Sequence, residues 1–535
     1  MSTDQAIVSD RTEQVTFYPK ASDGFRTGLY VWRGAFVDRG IAKSAGYKMS
    51  PLHHEYATSD QAIAYRLAPR LPELAAFRQR LEMSYAETSN FKVPLPEGME
   101  LYPYQRAGVE YAHSLKVAYI ADEPGLGKTA QAIGVANVKK DRNVLVVCPA
   151  HLRINWTREV ALWGINNPYT AIFRSLKNKL LRSETNPTWT VVSYEAAVKH
   201  AEKLRAFGPY DLMIFDEAHA LKEPKSKRSK KILGTRYVEP LVNAAGQILF
   251  LSGTPAPNRA AELWPILRAC APHLIADCRG FEEFADRFSY FMWDQYDYRV
   301  KGSRNETELG LRLRAGFMVR RSKADVLKQL PAKLHKMVVF DADAQTKKVL
   351  DKEKPFSARE ILNSGVPAGS PLAEVRREMG IAKAPLVIEY VKGLLKDGAK
   401  KVVVFGWHRD VIQLLTEGLK PYGAVMVLGG LNDTKRQAAV DAFQNDASCQ
   451  VFVGNLQAAG TGLTLTSSSN VVLAEGSWVP GENEQAVDRC HRIGQAHGVY
   501  IHVLVVAESL DATILSCAAG KAHDIGKILD SKLGI

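Results

Sequence analysis

Ala121-Asp122-Glu123-Pro124-Gly125-Leu126-Gly127-Lys128-Thr129 follows a short apolar run, Val117 to Ile120, and precedes the helix-like Ala130-Gln131-Ala132-Ile133. A glycine-rich turn between strand and helix lets successive backbone N–H groups point at polyphosphate oxygens, and the helix N-terminus adds its positive partial charge. In that frame Gly125 and Gly127 shape the cradle, Lys128 reaches the β and γ phosphates of a nucleotide, and Thr129 holds Mg2+. The strict pattern requires glycine at position 122, where this chain has Asp122. Gly-Lys-Thr alone serves equally well as an ordinary turn, so the rest of the chain decides.

Length and composition narrow the classes. The 535 residues suffice for roughly three or four domains. The excess of 70 Lys+Arg over 57 Asp+Glu, +13 net, suits a polyanionic partner and equally suits a merely basic surface. Six cysteines (Cys148, Cys270, Cys278, Cys449, Cys490, Cys517) lie far apart, form no Cys-x-x-Cys pair and read as reduced core residues. The N-terminus has no basic region leading into an apolar one, and no apolar run approaches membrane-spanning length. Both features predict a soluble, cytoplasmic protein without a membrane partner.

From about residue 98 to 345, apolar runs at 144–148, 190–193, 212–215 and 248–251 alternate with amphipathic segments. Such runs predict a parallel sheet covered on both faces, with ligands bound beyond the carboxyl ends of its strands. Polar turns follow three of them: Pro149-Ala150-His151-Leu152, Asp216-Glu217-Ala218-His219 and Ser252-Gly253-Thr254-Pro255. Asp216 suits Mg2+ held through water and Glu217 suits polarising an attacking water, whereas an isolated Asp-Glu pair is equally a helix N-cap. The basic run at 222–236, including Lys225, Lys227, Arg228, Lys230 and Lys231, is either a solvated helix face or a phosphate contact.

Residues 1–95 contain short alternating runs and a helix-like 60–67, the pattern of a small accessory module. Bases and aromatics mix in Ala42-Lys43-Ser44-Ala45-Gly46-Tyr47-Lys48 and His54-Glu55-Tyr56-Ala57-Thr58, either to stack on nucleic acid or to close a small core. The aromatic-rich 281–304 reads as core, and Asn363-Ser364-Gly365-Val366-Pro367-Ala368-Gly369-Ser370-Pro371 as a linker. A second alternating set between 398 and 515 predicts another α/β sheet, without a Gly-Lys-Thr. It offers Gly460-Thr461-Gly462-Leu463-Thr464 and Gln485-Ala486-Val487-Asp488-Arg489-Cys490-His491-Arg492-Ile493-Gly494-Gln495. Arg489 and Arg492, three apart, share a helix face. Aimed at a γ-phosphate from a separate lobe, they would stabilise transition-state charge and make hydrolysis depend on closure; the alternative is surface salt bridging.

This order of motifs resembles the superfamily 2 nucleic-acid motors, specifically the Swi/Snf-related DNA translocase ATPases, over residues 98–510. The matching residues are Leu101-Tyr102-Pro103-Tyr104-Gln105-Arg106, the loop at 122–129, Pro149 to Leu152 with Asn155-Trp156, the turns at 216–219 and 251–255, Thr461-Gly462-Leu463-Thr464 and the stretch from Gln485 to Gln495. Phe317-Met318-Val319-Arg320-Arg321-Ser322-Lys323-Ala324-Asp325-Val326 with Gln329-Leu330-Pro331 is a sharper marker, which general helicases lack. With Trp478-Val479-Pro480-Gly481 it indicates double-stranded DNA translocases rather than RNA helicases. Glu374-Val375-Arg376-Arg377-Glu378-Met379-Gly380-Ile381-Ala382-Lys383 and the compact spacer resemble the annealing-helicase (HARP-type) branch. Pro124 stands where that family usually has methionine and Glu223 where it has asparagine or aspartate. The N-terminal module, which resembles that branch's substrate-recognition domain, lacks a tryptophan near Tyr56 in sequence.

The resemblance implies an α/β fold of two tandem RecA-like parallel-sheet lobes with helical insertions and a small N-terminal accessory module. The expected division is 1–95 accessory, 96–345 first lobe, 346–397 linker and helical spacer, 398–515 second lobe and 516–535 a C-terminal helical tail. It implies ATP and Mg2+: Gln105 reading adenine, the loop from Asp122 to Thr129 and Gln485 binding nucleotide, Thr129 and Asp216 holding metal, Ser252 and Thr254 coupling nucleotide to lobe motion. Lys128, Asp216, Glu217, Arg489 and Arg492 would carry catalysis. DNA phosphates would meet Pro149, His151, Lys225, Lys227, Arg228, Gly460, Thr461, Gly462 and Trp478. The expected activity is ATP-dependent translocation on double-stranded or branched DNA, extending to fork annealing or branch migration. The alternatives are a strand-separating helicase and a non-catalytic DNA-binding scaffold with a relic nucleotide fold. Single-strand-binding or replication and repair proteins are expected partners, in a prokaryotic or phage nucleoid-associated setting.

Overall fold

The computed structural model describes residues 14–18, 29–33, 39–49, 56–58, 60–175, 180, 182–257, 259–294, 297–329, 331, 333–357, 370–456, 463–478, 480–492 and 494–515. The expected linker at 363–371 lies largely outside them, as does the expected tail at 516–535. Among the described residues no helix is long and apolar enough to cross a membrane.

The N-terminal module is a four-stranded antiparallel sheet, β1 (Val15–Tyr18), β2 (Leu29–Trp32), β3 (Lys48–Met49) and β4 (Tyr56–Thr58), in the order β1-β2-β4-β3. Tyr47, Ala42 and Ala45 are buried in its core, so this mixed basic and aromatic stretch closes a small core as one of its two readings anticipated. Trp32 of β2 meets Tyr56 of β4 edge-on at 6.1 Å. Asp60 caps the Gln61–Leu67 helix by accepting from the Ala62 and Ile63 N–H groups. The same carboxylate pairs with Arg312 at 2.6 Å, and Leu311 and Ala315 complete the module's core. The module therefore rests on the Glu306–Gly316 helix of the first lobe.

That lobe is built on β5 (Val117–Ile120), β6 (Asn143–Cys148), β7 (Tyr169–Phe173), β8 (Thr188–Ser193), β9 (Tyr210–Asp216) and β10 (Ala245–Leu251). A hairpin, β11 (Tyr290–Asp294) with β12 (Asp297–Lys301), branches from it, and β13 (Met318–Val319) closes the edge. The order β13-β5-β10-β9-β6-β8-β7 is parallel throughout. All six residues of β6 and of β8 are buried, the result of β-branched and apolar runs covered on both faces. Ile120 pairs with Leu251, and Leu251 with Asp216, so the loop at 121–129, the carboxylate turn and the Ser252 turn leave the same edge side by side.

The second sheet comprises β14 (Lys333–Phe340), β15 (Val402–Gly406), β16 (Val425–Val427), β17 (Val451–Asn455), β18 (Asn470–Leu473) and β19 (Val499–Val506), ordered β14-β19-β18-β15-β17-β16. The strand at 333–340, expected within the first lobe, joins the second: it pairs in parallel with β19 from Lys333 opposite Val499 to Phe340 opposite Val506. It is an edge strand with much of its surface exposed, and its apolar run, Met337 to Phe340, does not by itself say which sheet it joins. Ser370 caps the 26-residue Pro371–Lys396 helix, and Pro371 occupies its first turn, where a missing N–H costs nothing. The α/β class and its two parallel-sheet lobes agree with the sequence reading.

Candidate nucleotide-binding cleft

The phosphate loop is held from beneath. Gly125 and Gly127 have φ of +90° and +73°, left-handed values that side chains resist, and Gly127 opens the Lys128–Lys139 helix. Asp122 is fully buried, and its carboxylate accepts from Arg321 Nε (3.0 Å), Arg321 Nη2 (2.7 Å), the Arg321 N–H (3.0 Å) and Gln131 Nε2 (2.9 Å). The expected nucleotide contact from Asp122 is therefore replaced by a structural one: its side chain turns into the protein and anchors the loop. Gln105 is likewise buried. Its Oε1 accepts from the Tyr102 N–H at 2.9 Å, capping the Pro103–His113 helix, and its Nε2 donates to the Leu126 carbonyl at 3.2 Å. Arg320 donates to the carbonyls of Ala121 (2.8 Å) and Gly253 (3.0 Å), joining the first and third turns of the edge.

Lys128 Nζ folds onto the carbonyls of Asp122 (2.7 Å) and Glu123 (3.2 Å). Burial lowers its pKa; Glu217, Asp122 and Asp216 oppose that shift, and Arg489 adds to it. Charges from both lobes therefore act on one ammonium. Asp216 has its carboxyl pushed up to about 7 by burial and by the neighbouring Glu217, although the Trp156 indole N–H donates to it at 2.8 Å. A buried carboxylate destabilised in this way fits a divalent cation, with Thr129 at the start of the adjoining helix.

Glu217 adopts a left-handed conformation, φ +51° and ψ +51°, which non-glycine residues accept mainly where the surroundings enforce it. Its carboxylate lies 3.4 Å from His219 Nδ1, which in turn lies 3.0 Å from Ser252 Oγ, and Ser252 Oγ accepts from the Thr254 N–H at 3.1 Å. This chain links the second and third turns within the first lobe, and Thr254 enters it through its backbone N–H.

The second lobe closes over this edge. Gln485 Nε2, near the end of the Pro480–Val487 helix, donates to Glu217 Oε1 at 3.2 Å. Arg489 is only 5% exposed, so surface salt bridging does not describe it. Burial lowers the pKa of its guanidinium, while Glu217, Asp488 and Asp216 counteract the effect. Arg492 is pushed down to about 9 by burial and by the repulsion of Arg489. Arg489 Nε donates to the Gln485 carbonyl at 3.0 Å and Arg492 Nη1 to Thr464 Oγ1 at 3.1 Å, contacts that leave guanidinium N–H groups free to meet an anion. A Cβ placed on Gly125 would stand 2.7 Å from the Cβ of Arg492, so the arginine-bearing segment sits directly on the loop.

The expected DNA-contact residues are less uniform. Pro149 introduces the short turn Ala150–Leu152 after β6. His151 in that turn is held neutral, its pKa lowered to about 3 by burial and by Arg436, Arg489 and Arg153. Lys225 and Lys227 are exposed, whereas Arg228 pairs with Glu195 at 3.1 Å and lies over the Tyr194 ring. Trp478 is turned inward: its indole N–H donates to Asp511 at 3.0 Å and Arg376 stacks on its ring at 4.2 Å. Gly460, Thr461 and Gly462 lie outside the described residues. The residues that the sequence reading left without a role are Arg320, Arg321 and Lys323; the signal was present, because they stand inside the marker segment.

Comparison with known proteins identifies the family of the sequence. Residues 104–368 match the SNF2-related domain, and residues 383–494 match the helicase conserved C-terminal domain. The SWI/SNF-related matrix-associated actin-dependent regulator of chromatin subfamily A-like protein 1 of Xenopus tropicalis is 33% identical over 470 residues, 84% of this chain and 48% of that protein. The DNA annealing helicase and endonuclease ZRANB3 of Homo sapiens is 32% identical over 469 residues, 83% of this chain and 42% of that protein. The chain thus spans about half the length of these relatives. The Sulfolobus solfataricus SWI2/SNF2 ATPase core in complex with dsDNA matches with a TM-score of 0.39 and 21% identity, covering 84% of this chain and 96% of that one.

Proposed function

Because the chain belongs to the SNF2-related ATPases, with an SNF2-related domain followed by a helicase C-terminal domain, we propose that it is a DNA-dependent ATPase that translocates on duplex DNA and re-anneals or remodels branched DNA. The observation that carries the proposal is the hydrogen bond from Gln485 across the cleft to Glu217, which brings the arginine-bearing segment over the phosphate loop. Relatives of 32–33% identity named as annealing helicases support the choice of branched DNA. The exposed Lys225 and Lys227 suit sequence-independent phosphate contact.

In this reading the loop amides and Lys128 bind the β and γ phosphates, while Gln105, its amide spent on the Tyr102 N–H and the Leu126 carbonyl, braces the loop from behind. Glu217 orients and polarises the attacking water, accepting its proton as the bond to the γ-phosphorus forms and the bond from that phosphorus to the β–γ bridging oxygen breaks, releasing ADP and phosphate. Arg489 and Arg492 take up charge developing on the γ-phosphoryl oxygens. Mg2+, held by Thr129 and Asp216, would neutralise phosphate charge. Opening of the lobes withdraws the arginines, so turnover is tied to relative movement along DNA.

The test is ATP turnover by the full chain with no DNA, linear duplex and a model fork, combined with annealing of a fork coated by a single-strand-binding protein. Turnover that rises with duplex and annealing that requires ATP are expected. Turnover indifferent to DNA would refute the motor, and net strand separation would replace annealing by unwinding.

A further inference from the structure

Lys323 crosses the cleft. It opens the short Lys323–Val326 helix, which Ser322 caps by accepting from the Asp325 N–H. Its backbone N–H donates to Glu123 Oε2 at 2.7 Å, which fixes it to the phosphate loop of the first lobe. Its ammonium reaches into the second lobe, to Asp488 Oδ1 at 2.6 Å and the His491 carbonyl at 2.5 Å. Asp488 immediately precedes Arg489, and its own carbonyl accepts from Arg492 Nε at 3.1 Å. Both ends of the pair are buried, with side-chain exposures of 7% and 6%.

Asp488 has a second partner of a different kind. Lys333 Nζ lies 2.8 Å from Asp488 Oδ1 and 2.8 Å from Glu484 Oε2, and Lys333 begins β14, part of the second lobe's own sheet. Separation of the lobes returns the Lys323 ammonium to water while Asp488 keeps Lys333. Opening therefore strands no buried carboxylate, the outcome that makes breaking a buried ion pair costly. An apolar contact at this place would hold the lobes together without fixing the register of the arginines.

We infer that Lys323 is a positioning residue for ATP hydrolysis, a reversible latch that transmits the position of the phosphate loop through Asp488 to Arg489 and Arg492. The inference rests on the ATPase reading and deepens it. Lys323 touches no reacting atom; it sets where the two guanidiniums stand once the cleft closes.

The experiment compares wild-type, Lys323→Met, Lys323→Arg and Asp488→Asn full-length chains with linear duplex DNA. It measures steady-state ATP turnover, equilibrium binding of a fluorescent ATP analogue, and compaction by small-angle scattering with ADP, beryllium fluoride and duplex. Lys323→Met, of similar length but uncharged, should lower kcat about tenfold or more while nucleotide affinity moves less than about threefold. It should also fail to compact, as should Asp488→Asn, and Lys323→Arg should recover much of the turnover. Wild-type turnover and compaction in Lys323→Met would overturn the latch, as would loss of nucleotide binding together with turnover or failure of arginine to rescue. An inactive wild-type chain would overturn the ATPase reading and with it the role in hydrolysis, whereas the scattering comparison, which needs no turnover, decides separately whether Lys323 and Asp488 hold the lobes together.

Discussion

Arg321 grips Asp122 with two prongs beneath the phosphate loop, Nε to Oδ1 at 3.0 Å and Nη2 to Oδ2 at 2.7 Å, with the residues 2% and 0% exposed. The aspartate that breaks the strict glycine pattern is therefore one half of a buried clamp. Its other half comes from the marker segment at 317–326, 199 residues later in the chain. The loop keeps its shape because the clamp holds its first residue, with Gly125 and Gly127 free to curve.

Restoring the strict pattern should therefore damage the protein. Asp122→Gly leaves a buried guanidinium without its carboxylate, a loss of about 3–5 kcal/mol for a broken buried pair. Denaturant unfolding of the first lobe should show it, and Arg321→Met in the same chain should recover part of the loss. Equal stability of Asp122→Gly and wild type would refute the clamp.

The two lobes and the turns that share the candidate edge were legible because fully buried parallel strands are apolar runs, and polar turns at their ends stand out against them. The lobe to which β14 belongs was not, since its pairing with β19 joins residues more than 160 positions apart and nothing in the local string of Lys333 to Phe340 names that partner. Asp122 and Gln105 were visible as motif residues, but their direction was not: whether a side chain in a loop faces ligand or core depends on partners such as Arg321 and Tyr102, remote or concealed in the string. Arg320, Arg321 and Lys323 were visible as a marker and silent as to role for the same reason.

Lys128 and Glu217 both stand on the polar edge of the first lobe, and the proposed hydrolysis sets both against one phosphate. Lys128→Ala and Glu217→Gln should each lower DNA-stimulated turnover about 10²–10³-fold or more, the usual scale for one preorganised charged group. Duplex binding should stay within a few-fold of wild type, because neither side chain lies among the basic residues proposed to meet DNA. Malachite-green phosphate release and fluorescence anisotropy of labelled duplex measure the two quantities. Near-normal turnover in both variants would sink the assignment.

Glu353 ties the helical spacer to the second lobe, accepting from the Leu510 N–H at 2.8 Å. Burial, with Asp511 adding to it, pushes its carboxyl up to about 7 from 4.5, against the Leu510 hydrogen bond and Lys383. The native state then holds a proton that the unfolded chain releases, so stability falls as pH rises between those values. Glu353→Gln should remove this slope, matching wild type below the unfolded pKa of 4.5. At pH 8 it should exceed wild type by about 1–2 kcal/mol after allowance for solvent screening. Thermal unfolding across that range is the check, and a mutant less stable than wild type at pH 8 would contradict the sign.

Gly125 and Arg492 meet at the closed cleft, and the two positions should fail alike. Alanine at 125 places a Cβ 2.7 Å from the Cβ of Arg492 and also imposes the left-handed φ of +90° on a side chain. The strain should amount to about 1–2 kcal/mol, and the contact should hold the second lobe off the loop. Arg492→Ala leaves closure possible but removes the charge, at a cost in turnover of about 10³-fold or more by analogy with other arginine fingers. In both variants nucleotide affinity should survive, since the loop amides and Lys128 stay in the first lobe, while turnover is lost. Scattering with the beryllium fluoride complex separates the causes: Gly125→Ala should remain open and Arg492→Ala should compact. Full turnover in Arg492→Ala would remove it from the machinery, and compaction of Gly125→Ala would show that the segment yields at this contact.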